Sequence, residues 1–203
     1  MNYIYRMTHI DNIPHILQYG ITHKSSPNSN PCYKTIGDID IINKRKYDSR
    51  TTLDGIQFVP GDYIPFYFYA RMPMLYNIQH GYHVEKVNPE DIVYLIVPLH
   101  LIITDSNRVY FFSDGHAISN MTTFYSSKDI GKIDELIDKE AIKNDNWGDD
   151  YLIKERKQAE FLVKGDIPFS FISMICCYSE ATKHKLLKMG VKCNVKVAPK
   201  AYY

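Results

Sequence analysis

Short apolar runs, rich in β-branched and aromatic residues, recur along this 203-residue chain and constrain its fold more than any other feature. Runs of this length and composition are typical of buried strands. Strands are predicted at residues 3–7, 63–69, 92–97, 102–104, 108–113, 159–163, 172–178 and 191–197. Helices with a 3.6-residue apolar period are predicted at 11–20, 133–142 and 180–189. Strands and helices alternate, and strands dominate the second half, which indicates a mixed α+β domain.

Length and composition predict a single globular domain over residues 1–203, because no linker interrupts the chain. Hydrophobic residues make up 45% and charged residues 23% of the sequence, and the longest apolar stretch, 92–103, is too short to span a bilayer. No signal peptide is recognised. The four cysteines fit neither a zinc site nor a disulfide framework, so a cytoplasmic protein with free thiols is expected. The formal net charge of +1 neither supports nor excludes a nucleic-acid partner.

A carboxylate precedes one of the predicted strands. Gln158, Ala159 and Glu160 lead into Phe161-Leu162-Val163. Side chains alternate along a strand, so Gln158 and Glu160 are predicted to share a face. A carboxylate beside a buried apolar strand is either paired or functional. From this segment alone, a glutamate at the strand edge paired with a neighbouring lysine is the favoured interpretation.

The start of the chain combines a predicted strand with a capped helix. Arg6, Thr8, His9 and Asn12 lie at this junction, where free backbone N–H groups suit phosphate or amide binding. An ordinary strand–helix junction explains them equally well. A second candidate is Arg45, whose planar guanidinium matches a pyrophosphate, although lone basic residues usually face solvent.

Basic residues form two local clusters, which could equally be solvated surface. One contains Lys44, Arg45, Lys46 and Arg50, and the other contains Lys154, Arg156 and Lys157. The histidines at 100 and 116 lack partners with metal-ligand spacing, so no metal site is predicted. Walker A, G-x-G-x-x-G and nucleophile-elbow motifs are not found in the sequence.

Taken in order, five segments resemble the DarT family of DNA ADP-ribosyltransferase toxins. They are Thr8-His9-Ile10-Asp11-Asn12-Ile13, the stretch from Ile36-Gly37 to Lys44-Arg45, Asp62-Tyr63-Ile64-Pro65-Phe66-Tyr67-Phe68, the stretch 71–76, and Lys157-Gln158-Ala159-Glu160-Phe161-Leu162-Val163. The Gln-x-Glu element at 158–160 is similar to the catalytic element of ADP-ribosyltransferases. The resemblance covers nearly the whole chain.

The resemblance implies the ADP-ribosyltransferase fold, with two small, mostly antiparallel sheets flanked by helices around an NAD cleft. It implies transfer of ADP-ribose from NAD+ to a base in single-stranded DNA, most often thymine, by a toxin that a macrodomain antitoxin reverses. A monomer that needs no metal is expected.

The resemblance also assigns roles to individual residues. Glu160 would be the catalytic carboxylate, and Arg45 would assist it and contact NAD+. Lys46 and Arg50 are alternatives to Arg45 for this contact. Lys154 and Arg156 compete for the role of an assisting basic residue. The remaining candidates for NAD+ contact are Arg6, Thr8, His9, Asn12, Tyr67, Arg71 and Gln158. The candidates for DNA contact are Lys44, Lys46, Tyr47, Arg50 and Lys157, with loops 25–35 and 46–61 forming the rim that faces DNA.

Other activities fit the same residues. The Gln-x-Glu element also occurs in relatives that modify protein, so protein or RNA remains an alternative target. A catalytically silent module that binds NAD or nucleic acid is a second alternative. An RNA 2′-phosphotransferase is a third, although it would need further basic residues for the phosphate. Guanine is the alternative to thymine.

Overall fold

The computed structural model describes residues 1–148 and 150–203, and within them the chain forms ten strands and eight helices. The strands are β1 (Tyr3–His9), β2 (Arg50–Thr51), β3 (Gln57–Phe58), β4 (Tyr63–Tyr67), β5 (Ile92–Pro98), β6 (Tyr110–Ser113), β7 (Phe124–Tyr125), β8 (Glu160–Lys164), β9 (Met174–Cys177) and β10 (Asn194–Val197). The helices are α1 (Ile13–Tyr19), α2 (Ile39–Lys44), α3 (Pro73–His80), α4 (Leu99–Ile103), α5 (Ile133–Leu136), α6 (Lys139–Lys143), α7 (Tyr151–Lys157) and α8 (Glu180–Lys188).

Eight strands form one sheet in the order β10-β9-β5-β1-β4-β8-β6-β7, and β2 pairs with β3 in a small antiparallel sheet. Every described strand pair is antiparallel except β9 with β10. A single register pair, Tyr5 with Tyr67, joins β1 to β4. The large sheet therefore consists of two four-stranded halves that separate beside this pair.

Pro65 lies in β4 beside the separation and helps to explain it. Proline has no N–H group to donate to a neighbouring strand, so it is tolerated where a ladder is not made. Its carbonyl accepts a hydrogen bond from Nη1 of Arg6 in β1 at 2.8 Å. An arginine side chain therefore replaces a backbone pairing between the two halves of the sheet.

Strand β8 is buried on both faces. Phe161 and Val163 belong to the main core, whereas Leu162 packs in a smaller cluster with Phe58 and Phe111. Because side chains alternate along a strand, Glu160 projects on the face that carries Leu162. The carboxylate therefore lies on the opposite side of the sheet from the main core.

Most predicted elements are present, with shifted boundaries. The strand predicted at 102–104 is wrong, since these residues belong to the end of α4 and the turn after it. Leu99 and Ile102 are buried three residues apart on one face of this helix, a spacing that a three-residue window cannot distinguish from a strand. The helix predicted at 133–142 is divided into α5 and α6, and Asp138 caps the second of these through its side chain. In the described part of the chain, the helices lack the length and apolar character needed to cross a membrane.

Phe161 offers a test of how β8 is anchored. Its ring is fully buried and stacks on the rings of Tyr110 and Phe112, with centroid distances of 5.2 and 6.3 Å. We expect Phe161→Ala to lower the free energy of unfolding by about 3–5 kcal/mol, because the truncation leaves a cavity in the core. Urea denaturation followed by circular dichroism measures the change. The control Leu152→Ala, at a side chain that is 51% exposed, should change stability by no more than about 0.5 kcal/mol.

Candidate active site

A buried ion pair joins Arg45 to Glu160. Nη1 of Arg45 donates to Oε1 of Glu160 at 3.0 Å, and Nη2 donates to Oε2 at 2.8 Å. Glu160 is completely buried, and the side chain of Arg45 is 10% exposed. Burial alone would lower the pKa of the arginine, but the adjacent carboxylate outweighs this effect and raises it. The guanidinium therefore keeps its charge beside the carboxylate.

Backbone and side-chain groups of β6 and the loop after it complete the surroundings of Glu160. The N–H of Ala117 donates to Oε1 of Glu160 at 3.1 Å, and the N–H of Glu160 donates to Oγ of Ser113 at 3.2 Å. One carboxylate oxygen thus accepts two hydrogen bonds. These contacts fix the rotamer of the carboxylate and compensate for its removal from water.

A cleft of about 570 Å³ opens beside this pair, a volume typical of small-molecule sites. Its walls come from β1, β4, α2 and the loop between α1 and α2. Arginine side chains from two elements, Arg6 and Arg45, line it together with apolar residues such as Ile36, Ile41 and Met74. The arrangement suits a molecule that carries both anionic groups and flat apolar rings.

Tyr67 and His116 lie on the wall of the cleft close to the ion pair. Tyr67 is opposite Glu160 in the register of β4 with β8, and burial, then the Glu160 charge, raises the pKa of its hydroxyl. Burial lowers the pKa of His116, although the nearby Glu160 charge opposes this. Burial therefore favours the neutral form of this imidazole. In the sequence, His116 lacks partners with metal-ligand spacing, and no pattern there indicates that it lies beside Glu160.

Two residues predicted at the strand–helix junction, Thr8 and Asn12, hydrogen-bond to a segment of the cleft wall. The side chain of Asn12 donates to the carbonyl of Lys34 at 2.9 Å and accepts from its N–H at 2.8 Å. Thr8 Oγ1 accepts from Asn12 Nδ2 at 2.9 Å and lies 3.2 Å from the hydroxyl of Tyr33. Thr8 and Asn12 are both buried. They therefore hold the segment around Tyr33 and Lys34 as a wall of the cleft.

His9 and Arg71 are engaged away from the ion pair. Nδ1 of His9 accepts from the N–H of Asp11 and caps the turn before α1. Arg71 has a φ angle of 53°, and Nη1 donates to Asp145 at 2.6 Å. Its guanidinium lies 4.6 Å from the ring centre of Tyr203. These contacts give both residues a structural role, and their contact with NAD+ stays a prediction.

The segment before Glu160 differs from its prediction. Residues 151–157 form helix α7, and Gln158 is the residue at its C-terminal end, so Gln158 does not share a strand face with Glu160. Its side chain donates to the carbonyl of Lys154 instead. Lys154 is exposed above the ring of Trp147, and Arg156 pairs with Asp138 at 3.0 Å. In this structure the contacts of both basic residues lie outside the ion pair.

Lys157 is buried, contrary to the predicted DNA-facing position. Its Nζ donates to the carbonyl of Ile142 at 2.6 Å, and its exposed fraction is zero. The helical period turns this position of α7 toward α6 and the core, whereas the sequence alone placed it in a basic surface cluster. Burial lowers the pKa of Lys157 to about 8.

The other predicted DNA-contacting residues lie at the surface beside the cleft. Lys44, Lys46 and Tyr47 are exposed, and Tyr47 is 85% exposed. Arg50 is partly buried and donates to the carbonyl of Ser119 at 3.3 Å and to Asp48. This group of residues 44–50 therefore borders the loop that follows β6.

A family model and several relatives match this chain. The family model described as "ssDNA thymidine ADP-ribosyltransferase, DarT" matches residues 5–203. A DNA ADP-ribosyl transferase of Thermus sp. (strain 2.9) is 33% identical over 190 residues, which cover 92% of this chain and 86% of the relative. A fusion of a DNA ADP-ribosyl transferase with a DNA ADP-ribosyl glycohydrolase, from Thermosipho africanus, is 29% identical over 198 residues, covering 97% of this chain and 47% of the fusion.

Solved structures agree with the sequence comparison. Thermus sp. 2.9 DarT in complex with ADP-ribosylated single-stranded DNA superposes with a TM-score of 0.84 at 28% identity, covering all of this chain and 96% of that one. The same Thermus protein in complex with NAD+ superposes with a TM-score of 0.79 at 27% identity, covering all of this chain and 98% of that one. These matches confirm the predicted fold.

The contacts of Asn12 predict a local effect of its removal. We expect Asn12→Ala to accelerate amide hydrogen exchange in residues 30–36, because the backbone of Lys34 loses both of its partners at a cost of about 1–3 kcal/mol. Exchange measured by mass spectrometry tests this. Asn28→Ala is the matched control, since the described contacts include none made by the Asn28 side chain. Equal exchange in both variants would contradict the assigned role.

The buried Lys157 predicts a pH dependence of stability. Its pKa is about 8 in the folded protein and about 10.4 in an unfolded chain, so the unfolded state binds more protons between these values. The free energy of unfolding of the wild type, compared with that of Lys157→Met, should therefore rise as pH increases from about 8 to about 10. Urea denaturation at several pH values measures this difference. The exposed neighbour provides the control, because Lys154→Met should follow the wild type; parallel curves for wild type and Lys157→Met would contradict the prediction.

Proposed function

The chain belongs to the DarT family, and from that premise we propose that it transfers ADP-ribose from NAD+ to a thymine base in single-stranded DNA. The observation that carries the proposal is the buried Glu160 carboxylate, which is paired with Arg45, a residue that lines a cleft of about 570 Å³. A buried carboxylate fixed in this way suits chemistry that develops positive charge. The Thermus relative has been solved with NAD+ and with ADP-ribosylated DNA.

The residues of the cleft fit NAD+ as a substrate. Arg6 and Arg45 can donate to pyrophosphate oxygens, and planar guanidinium groups match that geometry. The apolar wall, which includes Ile36, Ile41 and Met74, suits the adenine and nicotinamide rings. Thr8 and Asn12 contribute indirectly, because they hold the wall around Tyr33 and Lys34 in place.

Glu160 acts on the ribose that is attached to nicotinamide. The bond between the nicotinamide nitrogen and C1′ of the ribose breaks with both electrons leaving on nicotinamide, so positive charge develops on the sugar. The Glu160 carboxylate stabilises this charge, and Arg45 fixes the carboxylate in position. Because Arg45 is already aligned by two hydrogen bonds, little reorganisation is needed when the substrate binds.

The attacking group is a ring nitrogen of thymine, which forms the new bond to C1′ and loses a proton. His116 is our candidate for accepting that proton, since it lines the cleft and burial favours its neutral form, which has a ring nitrogen free to accept. Lys154 and Arg156 remain proposed as assisting groups only if α7 moves when DNA binds, because their present contacts lie elsewhere.

Single-stranded DNA would approach from the side of residues 44–50. Lys44 and Lys46 supply positive charge for phosphates, and the exposed ring of Tyr47 can stack on a base. A single-stranded substrate needs no base to be extruded from a duplex. We do not include Lys157 in this surface, since its ammonium group is buried.

We infer that the protein acts as a toxin, in the cytoplasm and as a monomer, and that its partner is a macrodomain antitoxin that removes ADP-ribose from DNA. The Thermosipho africanus fusion joins a DNA ADP-ribosyl transferase to a DNA ADP-ribosyl glycohydrolase in one chain. Two opposing activities joined in this way support the proposal that a separate glycohydrolase reverses the reaction here.

The proposal predicts the behaviour of Glu160→Gln. We expect the variant to lose transfer by about 100-fold or more, because the carboxylate charge that stabilises the developing cation is gone. Wild type and variant are incubated with NAD+ and short single-stranded oligonucleotides that each lack one base type, and products are weighed by mass spectrometry. Wild type should add one ADP-ribose only to oligonucleotides that contain thymine.

Controls separate chemistry from folding. Glu140→Gln, at an exposed carboxylate on α6, should retain wild-type transfer. Since breaking a buried ion pair can destabilise a protein by about 3–5 kcal/mol, circular dichroism and NAD+ binding must show that Glu160→Gln is folded. Full activity of the folded variant would refute the mechanism. Modification of protein or RNA by the wild type, with DNA left unmodified, would refute the DNA target.

A further inference from the structure

The loop between β6 and β7, residues 114–123, is held by two carboxylates that accept hydrogen bonds from consecutive backbone N–H groups. Glu160 accepts from the N–H of Ala117 at 3.1 Å, and Glu155 accepts from the N–H of His116 at 3.2 Å. The first carboxylate belongs to the ion pair with Arg45. The second comes from α7 and is not required by the mechanism described above.

Glu155 makes a further contact with the same loop. The hydroxyl of Thr122 lies 3.1 Å from Oε1 of Glu155 and 2.8 Å from the carbonyl of His116, so its single proton is shared between two acceptors. One oxygen of Glu155 thereby connects both ends of the loop. A side chain at Gly115 would crowd these groups, since a Cβ atom would lie 2.8 Å from Thr122 Oγ1 and 3.1 Å from Glu155 Oε1.

Helix α7 turns its basic residues away from this loop. Lys154 lies over Trp147, and Arg156 pairs with Asp138, whereas Glu155 between them contacts the loop. We propose that Glu155 is a positioning residue, which holds His116 and Ala117 in the register that brings the Ala117 N–H to Glu160 and the His116 ring to the cleft. The expected effect of Glu155 on turnover rests on the proposed function, whereas its effect on the conformation of the loop does not.

Two substitutions of Glu155 separate the hydrogen bonds from the charge. Glutamine keeps an oxygen that can accept from the His116 N–H, and alanine removes the acceptor. We expect Glu155→Ala to accelerate amide exchange in residues 114–123 and to lower kcat by about 10- to 100-fold, since small displacements of reacting groups are costly. Glu155→Gln should keep wild-type exchange and lose no more than about threefold in kcat. The control Glu140→Ala, on the exposed surface of α6, should match the wild type in both measurements.

The ring of His116 provides a second readout, because its titration reports whether the Glu155 carboxylate lies close to it. Charged groups that act on it are Glu160, Arg45, Glu155 and Arg50, and the Glu155 carboxylate favours the protonated ring. Removing that charge in Glu155→Gln should lower the pKa of His116 below its wild-type value while the loop stays in place. An NMR titration of the imidazole resonances measures this shift without DNA or NAD+.

A second variant keeps the test decisive if Glu155→Ala does not fold. Gly115→Ala leaves the carboxylate present but crowds both it and the Thr122 hydroxyl, so these side chains must shift and exchange in residues 114–123 should rise as well. Wild-type exchange in both Glu155→Ala and Gly115→Ala, or an unchanged pKa of His116 in Glu155→Gln, would overturn the inference. If the wild type fails to modify DNA, the proposed function falls, whereas the exchange and titration results still decide the role of Glu155.

Discussion

The buried pair of Arg45 and Glu160 is the interaction on which the rest of this structure depends. A carboxylate without water must be matched by an opposite charge and by hydrogen-bond donors, or burial would neutralise it. Arg45 supplies the charge and two donors from the turn after α2, and the loop after β6 supplies the N–H of Ala117. Segments more than 100 residues apart in sequence therefore have to meet at one point.

The separation of the sheet gives this pair access to a substrate. Strands β1 and β4 share one register pair, and a proline without an N–H group lies beside the gap. Arg6 bridges the gap through the carbonyl of Pro65. The gap between β1 and β4 interrupts backbone pairing and also opens into the cleft that Arg6 and Arg45 line. The interrupted sheet and the cleft therefore arise from the same separation of strands.

Successive residues of helix α7 face different surroundings, because each residue is rotated by about 100° around the helix axis relative to the one before it. Lys157 points into the core and bonds to the carbonyl of Ile142, Glu155 contacts the loop that carries His116, and Lys154 and Arg156 face outward. Substitutions in this segment should therefore affect stability, the loop or the surface according to position. The sequence shows only a cluster of basic residues, because the order of residues along the chain does not reveal which side of the helix each one faces.

The sequence by itself determined the mixed α+β character and most strands and marked Glu160 as the candidate carboxylate, because strand composition and an ordered set of motifs are local properties. Only the tertiary structure decided which side chains meet. Gln158 ends a helix, Lys157 is buried, and His116 and Glu155 join the surroundings of Glu160, although none of these positions follows from sequence spacing. Their positions depend on the long-range packing of strands and on the direction in which each helical turn faces, and neither can be predicted from a short stretch of sequence.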